Sequence, residues 1–166
     1  MRTSHWIALG VASLAVAAAL WQPARGPAVI GTATVVDGDT LRIGGETFRL
    51  QGIDAPELAQ TCGNWPAGEE ARRALQRMVD RQLNGGQAVR CERMGTDRHG
   101  RTTAHCYAGE SDLGAALVRS GMAFAYTSYS MRYLLDEVRA RFDGVGLHGR
   151  GCIDPADWRA AHPSKG

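Results

Sequence analysis

The chain has 166 residues, of which 44% are hydrophobic and 22% charged, with a formal net charge of +2. A chain of this length is expected to fold as one domain around its own core, without needing a metal ion for stability. The small net charge excludes a protein that binds polyanions through general basicity, so an acidic substrate has to be held by local arginines.

The N-terminal segment is expected to direct export. Arg2 is followed by an uncharged, alanine-rich run from Trp6 to Trp21. This run is shorter than the roughly 20 residues that span a bilayer comfortably, and Ala15-Val16-Ala17 offers a small-residue cleavage site. We therefore predict that residues 1–25 are a signal peptide or, alternatively, an uncleaved membrane anchor, and that a domain at 28–160 is periplasmic or secreted.

Three strands are predicted between Val29 and Ile53. The segment is rich in Val, Ile, Thr and Leu and is interrupted by Asp37-Gly38-Asp39 and by Gly44-Gly45. The second interruption is a strong signal for a two-residue hairpin turn. Because side chains alternate along a strand, Arg49 points away from Phe48 and Leu50 and can face a cleft.

One long helix and a second hairpin follow. Apolar positions recur at helical spacing from Pro66 to Leu83, and Gly85-Gly86 ends this amphipathic helix. Two further strands are predicted at Gln87 to Arg93 and Thr102 to Tyr107.

The remainder of the chain predicts two helices and an irregular tail. Ser111-Asp112 caps a short helix that ends at Gly121, and another helix is capped near Ser128 or Ser130. This last helix carries one apolar stripe, formed by Met131, Leu134, Leu135, Val138 and Phe142. The tail from Gly149 to Gly166 lacks a clear pattern. The element order favours an α+β, mainly β, fold: a five-stranded barrel of the oligonucleotide/oligosaccharide-binding (OB) type with three flanking helices, rather than a half-open sandwich.

Four cysteines, Cys62, Cys91, Cys106 and Cys152, fit an exported protein with disulfides and allow three pairings. Cys91 and Cys106 fall on facing strands of the second hairpin, which favours their pairing. Cys62 would then pair with Cys152 by elimination. The spacings of a zinc cluster are absent from the sequence.

Arg90, Arg93, Arg98 and Arg101 cluster around the turn of the second hairpin. They are candidates for holding an acidic substrate, although a solvated charged hairpin is the alternative for Arg90 and Arg93. Nearby His99 is interpreted as a partly exposed turn residue without a role.

Three carboxylates point to a calcium site. Asp39 lies in a tight turn and Asp54 just after a strand, so both can project where backbone carbonyls are also free to coordinate. Asp37 more readily shapes the turn. Glu57 can accept a proton from water, and Arg49 and Arg101 can donate paired hydrogen bonds to phosphate oxygens. Taken singly, each of these residues also fits an ordinary turn or surface position.

Three segments together resemble the thermonuclease, or staphylococcal-nuclease-like, family: Asp37-Gly38-Asp39-Thr40, the Phe-Arg-Leu strand that leads to Asp54-Ala55-Pro56-Glu57, and Thr96-Asp97-Arg98-His99-Gly100-Arg101. The resemblance implies an OB barrel and Ca²⁺ bound by Asp39, Asp54 and the carbonyl of Ala55. It further implies Glu57 as general base, Arg49 and Arg101 as phosphate-binding groups, and cleavage of the 5′ P–O bond of DNA or RNA to leave 3′-phosphate ends.

Some positions depart from the pattern of that family. Ala55 stands where the archetype has Thr, which a ligand acting through its carbonyl tolerates, and Arg98-His99 stand where it has Lys-Tyr. Tyr126 and Tyr129 lie close to nucleotide-contacting tyrosines of the family, with the spacing shifted by a residue. Arg98, Tyr126 and Tyr129 are therefore expected to contact the substrate, with packing or surface positions as the alternative for the tyrosines.

Two other functions are possible for the same pattern. A non-catalytic OB-fold module that binds nucleic acid needs basic and aromatic groups but has no use for three acids that repel phosphate. A calcium-stabilised structural domain would leave Arg49 and Arg101 without a role. We therefore favour an exported, monomeric calcium-dependent nuclease that meets a membrane only through an uncleaved N-terminal segment.

Overall fold

A computed structural model of the chain describes residues 27–163. The predicted export segment at 1–25 lies outside these residues. The strands are β1 (Val29–Gly31), β2 (Ala33–Val35), β3 (Thr40–Ile43), β4 (Glu46–Leu50), β5 (Ile53–Asp54), β6 (Val89–Thr96), β7 (Thr102–Ala108), β8 (Ser111–Asp112) and β9 (Phe124–Ala125). The helices are α1 (Ala67–Asn84), α2 (Leu113–Arg119), α3 (Leu134–Phe142), α4 (Gly146–Gly149) and α5 (Pro155–Ala161). None of the described helices is long and apolar enough to cross a membrane.

The main sheet curls back on itself. Its strand order is β1-β6-β7-β4-β3-β2, with β8 added to β7. The first and last strands of this order are consecutive in the chain, separated by Thr32 alone, so β1 and β2 act as two halves of one bent strand. The β4–β7 pair is parallel and the other neighbours are antiparallel. With β1 and β2 counted together, this is the predicted five-stranded OB-like barrel.

Alternation along β4 separates the core from the cleft. Gly44 and Gly45 adopt φ of 59° and 85°, which a tight hairpin turn requires and which side chains disfavour. In the resulting β3–β4 hairpin Leu41 lies opposite Phe48, and both are fully buried. Because Phe48 and Leu50 point inward, Arg49 between them points to the other face, as predicted.

Helix α1 closes one side of the barrel. It begins and ends close to the predicted bounds and buries Ala71, Ala74, Leu75 and Val79 against the sheet. Its opposite face carries the charged residues of the amphipathic pattern. Burial of the apolar stripe, rather than helix propensity, fixes the position of α1 over the barrel.

Two disulfides join the cysteines in the pairs predicted from the sequence. Cys91 on β6 faces Cys106 on β7 in the strand register, and a disulfide connects them inside the core. A second disulfide links Cys62, in the loop before α1, with Cys152 near the end of the chain, 90 positions away. It ties the C-terminal segment to the loop that follows Asp54.

Helix α3 faces the opposite way from the expected amphipathic helix. Leu135, Val138 and Phe142, from the apolar stripe, are 70%, 53% and 91% exposed, whereas Glu137 and Ala140 are buried. Glu137 is buried because its carboxylate accepts hydrogen bonds from the backbone N–H of Ala125 and from the Arg141 guanidinium. The face of α3 that packs inward is thus the one whose carboxylate has hydrogen-bond partners, and the apolar stripe is left in solvent.

The expectation of an irregular tail is also wrong. Asp154 caps α5 by accepting a hydrogen bond of 2.7 Å from the N–H of Ala156, and Pro155 occupies the first turn. Both are standard helix-start signals. The carbonyl of Ile153 accepts a hydrogen bond of 3.0 Å from the buried side chain of Gln60, so the tail is packed onto the loop that carries Glu57.

Candidate active site

The turn before β3 buries Asp39. The side chain of Asp37 accepts a hydrogen bond of 3.1 Å from the N–H of Asp39, so Asp37 shapes the turn. A Cβ at Gly38 would lie 2.7 Å from the Cβ of Ala55 and 2.9 Å from that of Ala71. Glycine therefore allows the turn to pack tightly against α1 and the Asp54 loop, leaving Asp39 only 3% exposed.

Asp39 is short of compensating positive charge. Its Oδ1 accepts from the Thr40 hydroxyl at 3.0 Å, and its Oδ2 accepts from the Ala55 N–H at 3.3 Å. Its Oδ2 also lies 2.8 Å from Nη2 of Arg49. Burial nevertheless raises the pKa of Asp39 to about 7, because the favourable charge of Arg49 does not offset the loss of hydration. A further cation at this position would be stabilising.

Arg49 bridges two buried carboxylates. Its Nη2 lies 2.8 Å from Oδ2 of Asp39 and 2.9 Å from Oδ1 of Asp54. Asp54 ends β5, which pairs with β9 through Phe124, and is 3% exposed. One positively charged nitrogen thus stands between two anionic oxygens, which is the position that a bound cation would favour.

The Glu57 side chain reaches the same place from the loop after β5. Its backbone N–H donates to Oε1 of Gln60 at 3.3 Å. A Cβ at Gly68 would lie 1.9 Å from the Glu57 carbonyl oxygen, so glycine in the first turn of α1 lets this loop approach. The Glu57 carboxylate is 42% exposed and is therefore open to solvent, unlike Asp39 and Asp54.

Arg159, which the sequence analysis did not select, completes the cluster. Its Nη2 lies 2.8 Å from Oδ2 of Asp54, and its Nη1 lies 2.9 Å from Oε1 of Glu57. It belongs to α5, within the segment predicted to be irregular. The Asp154-Pro155 pair was the signal for a helix there, but a contact across 105 positions has no local signature.

Arg101 approaches the site from the β6–β7 turn. Its Nε donates to Oδ2 of Asp97 at 2.7 Å, and the side chain is still 40% exposed. The backbone N–H groups of His99 and Arg101 both donate to Oδ1 of Asp97, which holds this turn in shape. The Arg98 guanidinium donates to the His99 ring at 3.1 Å.

These groups share an open cleft of about 660 Å³. Its lining residues are Asp37, Arg49, Asp54, Glu57, Thr96, Asp97, Arg98, His99, Arg101, Tyr126, Tyr129 and Arg159. The rings of Tyr126 and Tyr129 are stacked, 6.3 Å apart and 10° from parallel. The cleft therefore combines carboxylates, guanidiniums and exposed aromatic rings.

Two arginines of the predicted cluster lie outside this lining. Arg93 pairs with Glu46 on the β3–β4 hairpin, and Arg90 pairs with Glu92 while its guanidinium stacks on the Tyr107 ring at 4.4 Å. Both arginines belong to β6 and make these ion pairs there, whereas Arg98 and Arg101 belong to the turn that follows. The expected group of four arginines is thus reduced to Arg98 and Arg101.

The donor set suits a hard divalent cation. Asp39 and Asp54 offer carboxylate oxygens on two sides of one point, and oxygen-only ligands are what Ca²⁺ and Mg²⁺ prefer. Among residues 27–163, no group of three or more His, Cys, Asp and Glu side chains is arranged as a metal cluster. Glu57 contacts Arg159, which also contacts Asp54.

Comparison with known protein families shows which family the chain belongs to. Residues 47–147 match the family model described as staphylococcal nuclease homologue. The chain belongs to the staphylococcal nuclease family. This matched range includes Arg49, Asp54, Glu57 and Arg101, whereas Asp39 and Arg159 lie on either side of it.

Two of three similar proteins carry nuclease names, in agreement with the family match. The chain is 35% identical to a micrococcal nuclease of Shigella flexneri over 166 residues, covering 89% of this chain and 87% of the relative. It is 35% identical to an uncharacterized endonuclease of Haemophilus influenzae, covering 75% and 69%. It is also 34% identical to the succinoglycan biosynthesis protein ExoI of Rhizobium meliloti, covering 72% of this chain and 64% of that protein.

The family match bears on metal dependence, and the two disulfides bear on the cellular compartment. Nucleases of the staphylococcal nuclease family are generally metal-dependent. Disulfides such as Cys62–Cys152 and Cys91–Cys106 persist in oxidising compartments, which indicates a periplasmic or extracellular protein.

Proposed function

We propose that this protein is an exported, calcium-dependent endonuclease that hydrolyses phosphodiester bonds of DNA and RNA. Cleavage of the 5′ P–O bond would leave 3′-phosphate ends. The observation that carries the proposal is the convergence of Arg49, Asp54, Glu57 and Arg101 on one cleft, with buried Asp39 held against Arg49. The printed names of the Shigella and Haemophilus relatives point to the same activity.

Asp39 and Asp54, together with the carbonyl of Ala55, are proposed to hold the cation. The carboxylates are buried and already face a shared positive group, so they are prepared to surround a positive charge. A bound Ca²⁺ supplies positive charge to a non-bridging phosphate oxygen.

Glu57 is proposed as the general base. It is the most exposed of the three acids, so water can reach its carboxylate oxygens. A carboxylate in this position orients a water molecule and accepts its proton as the new P–O bond forms. Negative charge would develop on the phosphate oxygens as the P–O5′ bond breaks. The leaving 5′ oxygen would take up a proton from solvent, and Glu57 would release the proton it accepted to solvent, which restores the carboxylate.

Arg49 and Arg101 are proposed to bind the phosphate from two sides of the cleft. Planar guanidiniums can each donate two parallel hydrogen bonds to phosphate oxygens, and such donors count most where negative charge accumulates in the transition state. Arg101 is 40% exposed and can exchange its bond with Asp97 for a phosphate oxygen.

The rim of the cleft is proposed to bind the nucleic-acid chain. Arg98 offers a further positive charge, and the exposed rings of Tyr126 and Tyr129 offer surfaces on which bases can stack. Stacking is independent of base identity, which suits a nuclease with little sequence preference.

The proposed organisation has an export signal or anchor at 1–25 and the nuclease domain at 28–160, acting as a monomer. Both disulfides support export, because they persist in oxidising compartments.

The test is cleavage of heat-denatured DNA by the purified chain, with calcium and with an excess of chelator. We expect fragments with 3′-phosphate ends in calcium and none in chelator. Activity that survives complete chelation would reject the metal role. Binding of DNA without cleavage in calcium would support the non-catalytic OB-fold module instead.

A further inference from the structure

Arg159 covers the acids on which the proposed chemistry depends. Its guanidinium reaches both oxygens of Asp54, at 3.2 Å and 2.8 Å, and one oxygen of Glu57 at 2.9 Å. Together with Arg49, it leaves both carboxylate oxygens of Asp54 paired with positively charged nitrogens. A cation that binds Asp54 therefore meets two guanidiniums already in place.

The two guanidiniums differ in how firmly they are held. Arg49 extends from β4 in the middle of the sheet, and its side chain is 21% exposed. Arg159 extends from α5 at the rim, and its side chain is 38% exposed. Because like charges repel at this range, an incoming divalent cation would displace the more exposed and more peripheral of the two guanidiniums more easily, and that group is Arg159.

The C-terminal segment keeps Arg159 close to the acids. Upstream of α5, the Cys62–Cys152 disulfide and the hydrogen bond from Gln60 to the Ile153 carbonyl fasten the segment to the Glu57 loop. Asp154 then caps α5 and sets its direction. Such a tether gives Arg159 a high effective concentration at Asp54 and Glu57.

We propose that Arg159 is an internal counter-ion that pairs with Asp54 and Glu57 and competes with the divalent cation for Asp54, and so sets the cation affinity of the site. This proposal rests on the proposed function in one respect only, which is that the site binds a cation. In the absence of a cation Arg159 neutralises the two acids and holds Glu57 over the cleft. When a cation is bound, Arg159 releases Asp54 and leaves Glu57 open to water.

The test is calorimetric titration of CaCl₂ into the metal-free full chain and into Arg159→Ala and Arg159→Lys. Removing the competitor should tighten calcium binding about tenfold in Arg159→Ala. Arg159→Lys should lie between this variant and the unmodified protein, because an ammonium cannot hold both carboxylates in one plane. Far-ultraviolet circular dichroism checks that each variant is folded.

Arg98→Ala is the matched control. Arg98 lines the same cleft and carries the same charge, but its guanidinium donates to the His99 ring. If loss of positive charge alone tightens calcium binding, Arg98→Ala and Arg159→Ala should behave alike, and that result would overturn the proposal. An unchanged calcium affinity in Arg159→Ala would overturn it as well, as would failure of all variants to bind calcium.

Cleavage assays on the same samples separate this inference from the proposed function. Tighter calcium binding in Arg159→Ala without DNA cleavage by any sample would support the counter-ion role and reject the nuclease. Calcium-dependent cleavage by the unmodified protein, with calcium affinity unchanged in Arg159→Ala, would support the nuclease and reject the counter-ion role.

Discussion

The three acids of the candidate site differ because their surroundings differ. Asp39 is buried with one guanidinium nitrogen beside it, Asp54 is buried between two guanidiniums, and Glu57 is open to solvent. These environments support separate roles for chemically similar groups, two acids to hold a cation and one to act on water. The proposed division of roles rests on burial rather than on residue type.

The residues of the site were predictable to different degrees. Asp39, Asp54 and Arg49 lie at turns and strand ends whose local sequence fixes their direction, and the structure brings them together. Arg159 could not be selected in this way, because its partners lie about a hundred positions earlier and depend on how α5 packs. Long-range ion pairs of this kind leave no trace in spacing or periodicity.

Substituting Asp39→Asn should stabilise the metal-free protein at pH 8. The pKa of Asp39 is raised to about 7 from 3.8 in the unfolded chain, so its ionised form lowers the free energy of unfolding above pH 7. As the pH falls through 7 towards 4, the folded state takes up a proton and the unmodified protein regains this stability. The advantage of Asp39→Asn should therefore shrink with falling pH.

The measurement is thermal unfolding at pH 8 and pH 5 in chelator. Asp80→Asn, on the exposed side of α1, is the matched control and should show no such pH-dependent difference from the unmodified protein. Destabilisation of Asp39→Asn at pH 8 would contradict the burial argument. With calcium present the ranking should reverse, since the amide is a weaker ligand.

At the scale of elements, hydrophobic periodicity predicted the buried face correctly for a helix with one face suited to the core. It predicted the wrong face for a helix with two such faces. α1 has a single apolar stripe, and Ala71, Ala74, Leu75 and Val79 of that stripe are buried while Met78 and Leu83 are partly buried. α3 has an apolar stripe and a buried carboxylate on different faces, and the face that packs inward is the one whose carboxylate accepts a hydrogen bond from the Ala125 backbone. Periodicity measures amphipathicity but cannot say which polar group finds a partner.

The orientation of α3 can be tested with two substitutions. Glu137→Ala leaves the Ala125 N–H without its partner and should lower the free energy of unfolding by about 1–3 kcal/mol. Phe142→Ser changes a side chain that is 91% exposed and should alter it by no more than about 0.5 kcal/mol. Urea unfolding of both variants is the measurement; a larger loss for Phe142→Ser would indicate that the apolar stripe is buried after all.

At the scale of the whole molecule, the barrel gathers residues that are far apart in sequence. The parallel β4–β7 pair sets Arg49 beside Thr103, two positions beyond Arg101, and the short β5–β9 pair sets Asp54 beside Phe124. The order of elements predicted this architecture, because few arrangements of five short strands and inserted helices bury one core. The C-terminal helix was missed although Asp154-Pro155 is a local start signal, and its contacts with Asp54 and Glu57 were missed because they join residues about a hundred positions apart.

Loss of the Cys62–Cys152 disulfide should destabilise the molecule strongly. The link spans 90 positions, so it removes much of the conformational entropy of the unfolded chain. Cys62→Ala/Cys152→Ala should lower the free energy of unfolding by about 2–5 kcal/mol in guanidinium denaturation. An unchanged midpoint, with the Cys91–Cys106 bond verified as intact, would show that the C-terminal segment needs no tether.

The most direct test of the proposed catalytic centre is the turnover of Glu57→Gln on denatured DNA at saturating calcium. Glu69→Gln is its matched control, since Glu69 is similarly exposed and also pairs with an arginine, Arg72. We expect Glu57→Gln to fold and bind DNA but to lose about 10²-fold or more in turnover, because the amide cannot accept a proton from water. Glu69→Gln should cleave like the unmodified protein. Equal cleavage by Glu57→Gln and Glu69→Gln would contradict the assignment of Glu57 as the base.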